Sequence, residues 1–365
     1  MGIFKPPKKP EITKTNFGRM KSDLSKLKGK NQFLSPLLLV FLMVVIIASL
    51  GIGRYPVSFE ETSFILFSRS FGQAVDPEDH KRVVIEIVRL PRIILVVLVG
   101  MGLAMSGAAM QGVFRNPLVG PEVAGVSAGA CFGGALSIIL GWNAAGIVIM
   151  AFLFGFSALA AAFVISRLSS RSGILGLILA GVIISSFFSA LSGFLQYAAD
   201  PENKLPSLIY WLMGSFAGAS YERIVIMSGI MIISGCGLLG LGWRINILSL
   251  GENDARAIGV NTERLRWTVV SLVALIVAGQ VAVCGGIGWV GLVVPHLARM
   301  IVGPEHSRLL PVSGLLGGIY LLLMDDLART ISPSEIPIGI LTSMVGTPLF
   351  IFLFLKIQKK GWNSD

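Results

Sequence analysis

The carboxylate pair Asp325 and Asp326 is the feature of this sequence that comes nearest to an acid–base site. Two carboxylates that converge on one substrate atom could act as an acid–base pair. Neighbouring residues of a helix point about 100° apart, so these two side chains diverge. We therefore expect a solvated helix end, or a local ion pair with Arg329, rather than catalysis.

Thiols, imidazoles and phosphate-binding loops give no stronger sign of chemistry. The cysteines are Cys131, Cys236 and Cys284, and each lies in an apolar run. Because no Cys/His spacing typical of a metal site occurs, we expect neither a metal site nor a disulfide framework. The single Gly-Lys pair is followed by Asn31, so the motif G-x-x-x-x-G-K-[ST] is absent. The sequence predicts no catalytic residues and no nucleotide site in this chain.

Four polar side chains in an apolar segment suit transport instead. Ser185, Ser189, Ser192 and Gln196 are separated by four, three and four positions, so they share one face of a helix. Such a stripe can line a water-filled path. Alternatively, the serines bond to their own helix backbone or join two helices. The presence of Gln196 on the same face favours the path.

A run of small residues predicts close helix packing. Gly125, Gly129 and Gly133 form an uninterrupted G-x-x-x-G-x-x-x-G pattern. Pro121 suits the first turn of a helix and Glu122 suits its positive end, so we expect the helix to begin here. Small residues at this spacing let a second helix approach closely. The pattern predicts a packing ridge rather than a functional site.

A polar insert, SLGENDARAIGVNTERLR (249–266), separates two strongly apolar segments. Ser249 and Glu252 form an S-x-x-E capping box, and Gly259 stands where a helix would end. We expect a helix of about nine residues, roughly 13 Å long. Its charges exclude it from hydrocarbon. A short rigid helix of this kind suits docking to a partner at the inner membrane surface, and an ordinary structured loop is the alternative.

The elements that position these residues are membrane-spanning helices. Hydrophobic residues make up 54% of the chain, only 14% are charged, and the mean hydropathy is +0.79. A soluble domain carries about 25% charged residues, so the composition favours an all-α, multi-pass membrane protein. Ten segments are predicted to span: 34–53, 93–113, 123–140, 144–165, 174–197, 224–243, 267–285, 288–302, 311–327 and 338–355.

The distribution of positive charge predicts the orientation. With the N-terminus in the cytoplasm, 21 of the 30 Lys and Arg residues fall on the cytoplasmic side. The positive-inside rule then places both termini in the cytoplasm. Residues 1–33 are a basic cytoplasmic extension, and 34–365 form the transmembrane domain. A net charge of +10 that follows topology in this way gives no reason to expect binding to nucleic acid.

Several segments together resemble one family. They are RLPRIILVVLVGMGLAMSGAAMQGVFRNPLVGPEVAGVSAGA (89–130), LILAGVIISS (177–186), YWLMGSFAG (210–218), LSLGENDARAIGV (248–260), GGIGWVGLVVPHLARMIVGPEHSRLLP (285–311) and EIPIGILTSMVGTPLF (335–350). These segments are similar to the permease subunits of ATP-binding-cassette (ABC) importers for iron–siderophore complexes, haem and vitamin B12. The similarity runs from about residue 34 to the C-terminus.

The resemblance implies an assembly. Its fold would be vitamin B12 permease-like, with ten spans in a bacterial or archaeal cytoplasmic (inner) membrane and lipid around it. A second permease copy, as a homodimer or a pair of similar permeases, would join two cytoplasmic ATPase subunits that bind ATP and Mg. A binding protein on the outer side would deliver the substrate. The chain itself would be no enzyme and would need no cofactor.

The resemblance also implies roles for individual residues. The segment about 249–260 matches the coupling helix that sits in a groove of the ATPase, at Leu250, Gly251, Glu252, Ala255, Arg256 and Gly259. Arg89, Arg92 and Arg329 match outer arginines that pair with acidic residues of the binding protein. The helix that carries the polar stripe lines the central path, and the inner gate lies near SSRSG (169–173).

The expected cargo is a ferric siderophore, with haem, vitamin B12 or an oxyanion as alternatives. Closure of the ATPase dimer would move the coupling helices and open a path at the dimer axis to alternate sides. A secondary carrier or channel is the rival class, and the scarcity of ionisable residues inside the spans disfavours it. An intramembrane enzyme would need converging catalytic groups, which the sequence lacks.

Overall fold

Helices make up nearly all the regular structure in the computed structural model, which describes residues 34–70, 79–168 and 174–362. The first are α1 (Leu34–Gly51), α2 (Phe59–Ser70), α3 (His80–Phe114), α4 (Val126–Ile139), α5 (Ala144–Leu168), α6 (Ile174–Ala198) and α7 (Leu205–Leu212). They are followed by α8 (Tyr221–Leu250), α9 (Glu252–Ala257), α10 (Thr262–Cys284), α11 (Val290–Val302), α12 (His306–Thr330) and α13 (Ile338–Trp362).

Ten of these helices coincide with the ten predicted spans. Seven are long and apolar enough to cross a membrane, namely α1, α3, α5, α6, α8, α10 and α12. The other three, α4, α11 and α13, contain shorter apolar stretches. Each of α3 and α8 includes one π-helical turn, at Val84–Arg89 and Met231–Gly235. The chain is therefore an all-helical, multi-pass membrane protein.

The centre of the bundle is built around α3 and α10. In their most apolar windows, 83% and 72% of the residues are buried inside the protein, against 22% for α1 and α5. The outer helices are just as apolar, however, and large side chains such as Leu37, Val40 and Phe41 are exposed. In a membrane protein such side chains face lipid.

Close packing between α3 and α12 depends on two glycines that face each other. A Cβ atom placed on Gly100 would lie 2.3 Å from the carbonyl oxygen of Gly317, and a Cβ atom on Gly317 would lie 2.2 Å from that of Gly100. Only glycine permits this approach, which is typical of membrane helix pairs. The contact holds α12 against the centre, with the outer end of α12 beside that of α3.

The third predicted span, 123–140, is interrupted at its start. Pro121–Ala124 form a 3-10 turn, and Gly125 has a φ of +79°, in the left-handed region. An α-helix cannot continue through that conformation. Regular helix therefore starts at Val126, and the expected continuous helix from Pro121 onwards is wrong.

Candidate coupling and transport surfaces

The polar insert folds as a short helix at the end of α8. This helix, α9, has six residues instead of the nine predicted, and it starts after Gly251. The hydroxyl of Ser249 donates a hydrogen bond to the carbonyl of Asn246 at 2.6 Å, inside α8. The predicted capping box is therefore wrong, because α8 continues through Ser249 as far as Leu250.

The end of α9 follows the prediction. Gly259 has a φ of +84°, and its amide donates to the carbonyl of Arg256 at 3.0 Å. The amide of Val260 donates to the carbonyl of Ala255 at 2.9 Å. These two bonds form a Schellman motif, which satisfies carbonyls at the end of a helix. A side chain at residue 259 would strain this turn.

Apolar and charged side chains share the free surface of α9. Leu250 is 76% exposed and Ile258 is 61% exposed, at opposite ends of the helix, whereas Ala255 is fully buried. Asp254 and Arg256 are exposed between them. We call Leu250, Asp254, Arg256 and Ile258 the α9 surface. The α9 surface therefore combines two exposed apolar side chains with two exposed charges.

An ion pair fixes α9 to the first turns of α10. The guanidinium of Arg266, which is buried, bonds to the carboxylate of Glu252. Arg256 Nε also donates to Thr262 Oγ1 at 3.4 Å. The hydrogen bond from Arg266 holds the pKa of Glu252 below its usual range, so Glu252 stays ionised at neutral pH. A charged contact therefore joins α9 to α10.

The three predicted docking arginines lie at the outer ends of α3 and α12, and all three are buried. Arg89 donates to the carbonyl of Leu50 at 2.7 Å and to that of Tyr55 at 2.5 Å. It thereby satisfies backbone carbonyls at the end of α1.

Arg92 joins three segments of the chain. Its Nε and Nη2 atoms donate to the carboxylate of Asp325 on α12 at 2.9–3.1 Å. Its Nη1 atom donates to both oxygens of Glu335, each at 2.9 Å. Glu335 lies just before α13, so one guanidinium connects α3, α12 and the start of α13.

The second aspartate, Asp326, has different partners. It pairs with Arg329, and it accepts a hydrogen bond from the hydroxyl of Ser49 on α1 at 2.6 Å. Arg329 also donates to the carbonyls of Ile52 at 2.5 Å and Ser49 at 2.7 Å. The expected ion pair with Arg329 is present. The expected solvation of this helix end is wrong, because both aspartates are buried among partners from other helices.

We call this set of residues the outer charge network: Ser49, Arg89, Arg92, Asp325, Asp326, Arg329 and Glu335. Its guanidinium groups are directed into the chain and bond to it, so they present little free surface to a binding protein. Direct pairing of Arg89, Arg92 and Arg329 with a binding protein stays a prediction.

The polar stripe lies at the boundary between the packed and exposed sides of α6. Ser192 is buried, Ser185 and Gln196 are half-buried, and Ser189 is exposed. Gln196 Nε2 donates to the carbonyl of Ser192 at 3.3 Å, within the same helix. A role in the path stays a prediction, and the proposed gate segment 169–173 lies outside the described residues.

The glycine pattern divides into two parts. A Cβ atom on Gly129 would lie 2.5 Å from the carbonyl oxygen of Phe154, and one on Gly133 would lie 2.2 Å from that of Met150. These two glycines therefore let α4 pack directly on the backbone of α5. Gly125 is not part of this ridge, since it forms the left-handed turn before α4.

Sequence reasoning missed three residues: Ser49, Arg266 and Glu335. In the sequence, Arg266 is one of the basic residues on the cytoplasmic side, and Glu335 begins the matching segment 335–350. The bond between Arg92 and Glu335 spans 243 positions, and that between Ser49 and Asp326 spans 277. No local pattern signals such pairs.

The structure is a bundle of apolar, membrane-spanning helices with a short charged helix, α9, fixed beside it. A sequence model of the FecCD transport family matches residues 41–356, and the chain belongs to that family. It is thus a permease subunit of a prokaryotic ABC importer, a membrane protein whose ATP is hydrolysed by other subunits and which needs no cofactor. Such permeases are dimeric and work with ATPases and a binding protein.

Relatives support this assignment over most of the chain. It is 46% identical over 327 residues to the molybdate import system permease protein MolB of Haemophilus influenzae, which covers 90% of this chain and 96% of that protein. It is 34% identical over 337 residues to the iron(3+)-hydroxamate import system permease protein FhuG of Bacillus subtilis, covering 89% and 98%.

A solved structure gives the same answer for the fold. It is described as an inward-facing conformation of a metal-chelate type ABC transporter, with a TM-score of 0.79 and 46% sequence identity. The match covers 88% of this chain and 99% of that one. The predicted family and the all-helical fold are thereby confirmed.

Proposed function

We propose that this chain imports its cargo as a homodimer, with one ATPase subunit covering the α9 surface of each copy and a binding protein on the outer side. The observation that carries this proposal is the α9 surface itself. Leu250, the last residue of α8, and Ile258, the residue after α9, are largely exposed on either side of a helix too polar to enter lipid. Burial of such side chains is favourable, and a cytoplasmic partner supplies it.

The α9 surface is also suited to transmit force. The helix is closed by the Schellman turn at Gly259 and fixed to α10 by the pair Glu252–Arg266. An element held at both ends moves together with its neighbours rather than bending. The ATPase would then contact this element at Leu250, Gly251, Arg256 and Gly259. Two further residues, Glu252 and Ala255, would connect α9 to the rest of the helix bundle.

A matched pair of substitutions tests the role of the α9 surface. Ile258→Asp should reduce co-purification of the ATPase about tenfold, since it places a charge in an apolar contact. Ile331→Asp is the control, because Ile331 is equally exposed, at 61%, but lies at the outer end of α12. Undiminished co-purification with Ile258→Asp would contradict this docking assignment.

A metal oxyanion such as molybdate is the leading candidate for the cargo. Support comes from the 46% identity to MolB, which extends over 96% of that protein. The ferric siderophore is the second candidate, and the similarity to FhuG favours it. Both fit a conduit lined by small and hydroxyl side chains, which binds its cargo weakly.

Reconstitution distinguishes these cargoes. The permease, its cognate ATPase and its cognate binding protein are placed in liposomes with ATP inside, and uptake of labelled molybdate is compared with that of a labelled ferric hydroxamate. We expect ATP-dependent uptake of molybdate that persists when ionophores collapse ion gradients. Uptake of the hydroxamate alone would favour the second cargo, and uptake that needs a gradient but no ATP would favour a secondary carrier.

We further propose that Ser185, Ser189, Ser192 and Gln196 line the path between the two copies. Their position at the edge of the exposed side of α6 supports this role, since a second copy can approach there. Docking of the binding protein would fall on the outer ends of α3 and α12. In that case Arg89, Arg92 and Arg329 would act by fixing the shape of this rim.

A further inference from the structure

We propose that Arg167 and Glu263, with Phe163 and Trp267 one turn away, form a positioning contact that passes movement of α9 on to α6. This inference rests on the proposed function, because it requires that the ATPase acts on α9. It adds a defined route from that helix to the one that carries the polar stripe. We call the four residues the α5–α10 contact.

The route begins with the charged connection between α9 and α10. Glu252 on α9 pairs with Arg266 on α10, and Arg266 is buried. Glu263 and Trp267, which belong to the α5–α10 contact, lie on the same opening turns of α10. Any rotation or shift of α9 that Arg266 follows therefore moves Glu263 and Trp267 as well.

The α5–α10 contact has two levels. At the inner end, Arg167 Nη2 bonds to Glu263 Oε1 at 3.2 Å. One turn deeper, the rings of Phe163 and Trp267 meet edge to face with centroids 4.4 Å apart. The guanidinium of Arg167 also lies 4.7 Å from the centroid of the Phe163 ring. On each helix the two residues are four positions apart, so they share one face.

From α5 the route continues to α6 inside the membrane. Phe154 on α5 and Phe188 on α6 meet edge to face, with ring centroids 6.2 Å apart. Phe132 on α4 contacts both rings, at 4.9 Å and 5.6 Å. Packed rings transmit displacement because they cannot interpenetrate. Phe188 lies one position from Ser189 of the polar stripe.

An open groove separates these elements at the inner face. Its volume is about 510 Å³, and its lining includes both ion pairs together with Trp267 and Leu177 of α6. Among the described residues, the two ion pairs that border the groove connect α9 to α10 and α10 to α5. Side chains beside open space can change position with less disturbance than side chains in a close-packed core, which suits a coupling element.

The exposure of the pair makes the inference testable. The side chains of Arg167 and Glu263 are 62% and 63% exposed. Exposed pairs contribute little to stability. If the pair is merely structural, reversing either charge should change stability and transport very little. If the pair positions α6, reversing either charge should reduce transport while the complex with the ATPase stays intact.

The experiment uses the complete reconstituted importer and measures cargo imported per ATP hydrolysed. Arg167→Glu and Glu263→Arg are compared alone and together, which forms a double-mutant cycle. Each single variant should lower cargo per ATP about threefold while ATPase co-purification is unchanged, and the double variant should recover most of the loss. Such a split between hydrolysis and transport would not follow from a folding defect.

A second ion pair at the inner side serves as the control. Glu305, just before α12, and Arg308, in the first turn of α12, pair at 3.3 Å, and neither lines the groove. Arg308→Glu should leave cargo per ATP unchanged. The inference is overturned if Arg167→Glu and Glu263→Arg behave like this control, or if the double variant shows no recovery. Failure of the wild-type complex to import any cargo with ATP would instead overturn the proposed function.

Discussion

Buried charges are costly, and the outer charge network shows how this chain meets that cost. Arg92 bonds to Asp325 and Glu335, and Asp326 bonds to Ser49 and Arg329. Arg92, Asp325, Asp326 and Arg329 each have an opposite charge as a partner, whereas the buried Arg89 bonds to two backbone carbonyls instead. A charge can be buried when its hydrogen-bonding groups are satisfied in this way. The network joins the outer ends of α1, α3 and α12 at the place where a binding protein is expected.

Removing one partner of this network should destabilise the protein strongly. Asp325→Ala leaves the buried Arg92 with Glu335 alone, and a broken buried pair costs about 3–5 kcal/mol. The loss should appear as a lower unfolding temperature of the purified permease in lipid nanodiscs. Glu305→Ala removes half of the exposed pair with Arg308 and should cost less than about 1 kcal/mol. Equal effects of the two substitutions would contradict this account.

The sequence predicts the directions of Asp325 and Asp326 correctly, but it does not predict that both side chains are buried. Neighbouring helical residues do point apart, and the two carboxylates indeed bond to different groups. Their burial could not be predicted, because Arg92 and Ser49 lie 233 and 277 positions away. A charge at the end of an apolar run is ordinarily solvated, and only the assembled bundle supplies partners.

At the level of the helices, the length of an apolar run predicted which segments are helical. The residues at which the short helices begin were not predicted correctly. An apolar run of about 20 residues forms a helix in a membrane, since only a helix satisfies the backbone within the segment itself. The short α4 and α9 differ from their predictions because backbone conformation at single residues decides where they begin. The left-handed conformation of Gly125 prevents α4 from beginning before Val126. Continuation of α8 to Leu250 moves the start of α9 to Glu252.

The packing of α4 on α5 should depend on Gly133. A Cβ atom there would lie 2.2 Å from the carbonyl oxygen of Met150, so Gly133→Ala must push the helices apart. Overpacking of this kind costs about 1–3 kcal/mol, which thermal unfolding in nanodiscs would detect. Gly240→Ala on α8 is the control, because a Cβ atom there has no neighbour within 4 Å. If both alanines are tolerated equally, the ridge is not a close contact.

For the whole molecule, the sequence and the fold identify the type of transporter more firmly than the cargo that it carries. Relatives named for molybdate and for iron(3+)-hydroxamate share this architecture at 46% and 34% identity. An apolar bundle with hydroxyl side chains along one helix offers little to distinguish one large or charged cargo from another. Selection of the cargo by a separate binding protein would let one architecture serve both.

The orientation of the bundle is the remaining property that charge alone predicts. With 21 of 30 basic residues on one side, the positive-inside rule places α9 and both termini in the cytoplasm. The experiment starts from a variant in which serine replaces Cys131, Cys236 and Cys284. Asn253→Cys on α9 and Glu202→Cys before α7 are then introduced separately. Both positions are exposed, and the predicted orientation places them on opposite sides of the membrane. A membrane-impermeant maleimide added to intact cells should label residue 202 and leave residue 253 unlabelled until the cells are opened. Labelling of residue 253 in intact cells would reverse the orientation, and would remove α9 from the reach of a cytoplasmic ATPase.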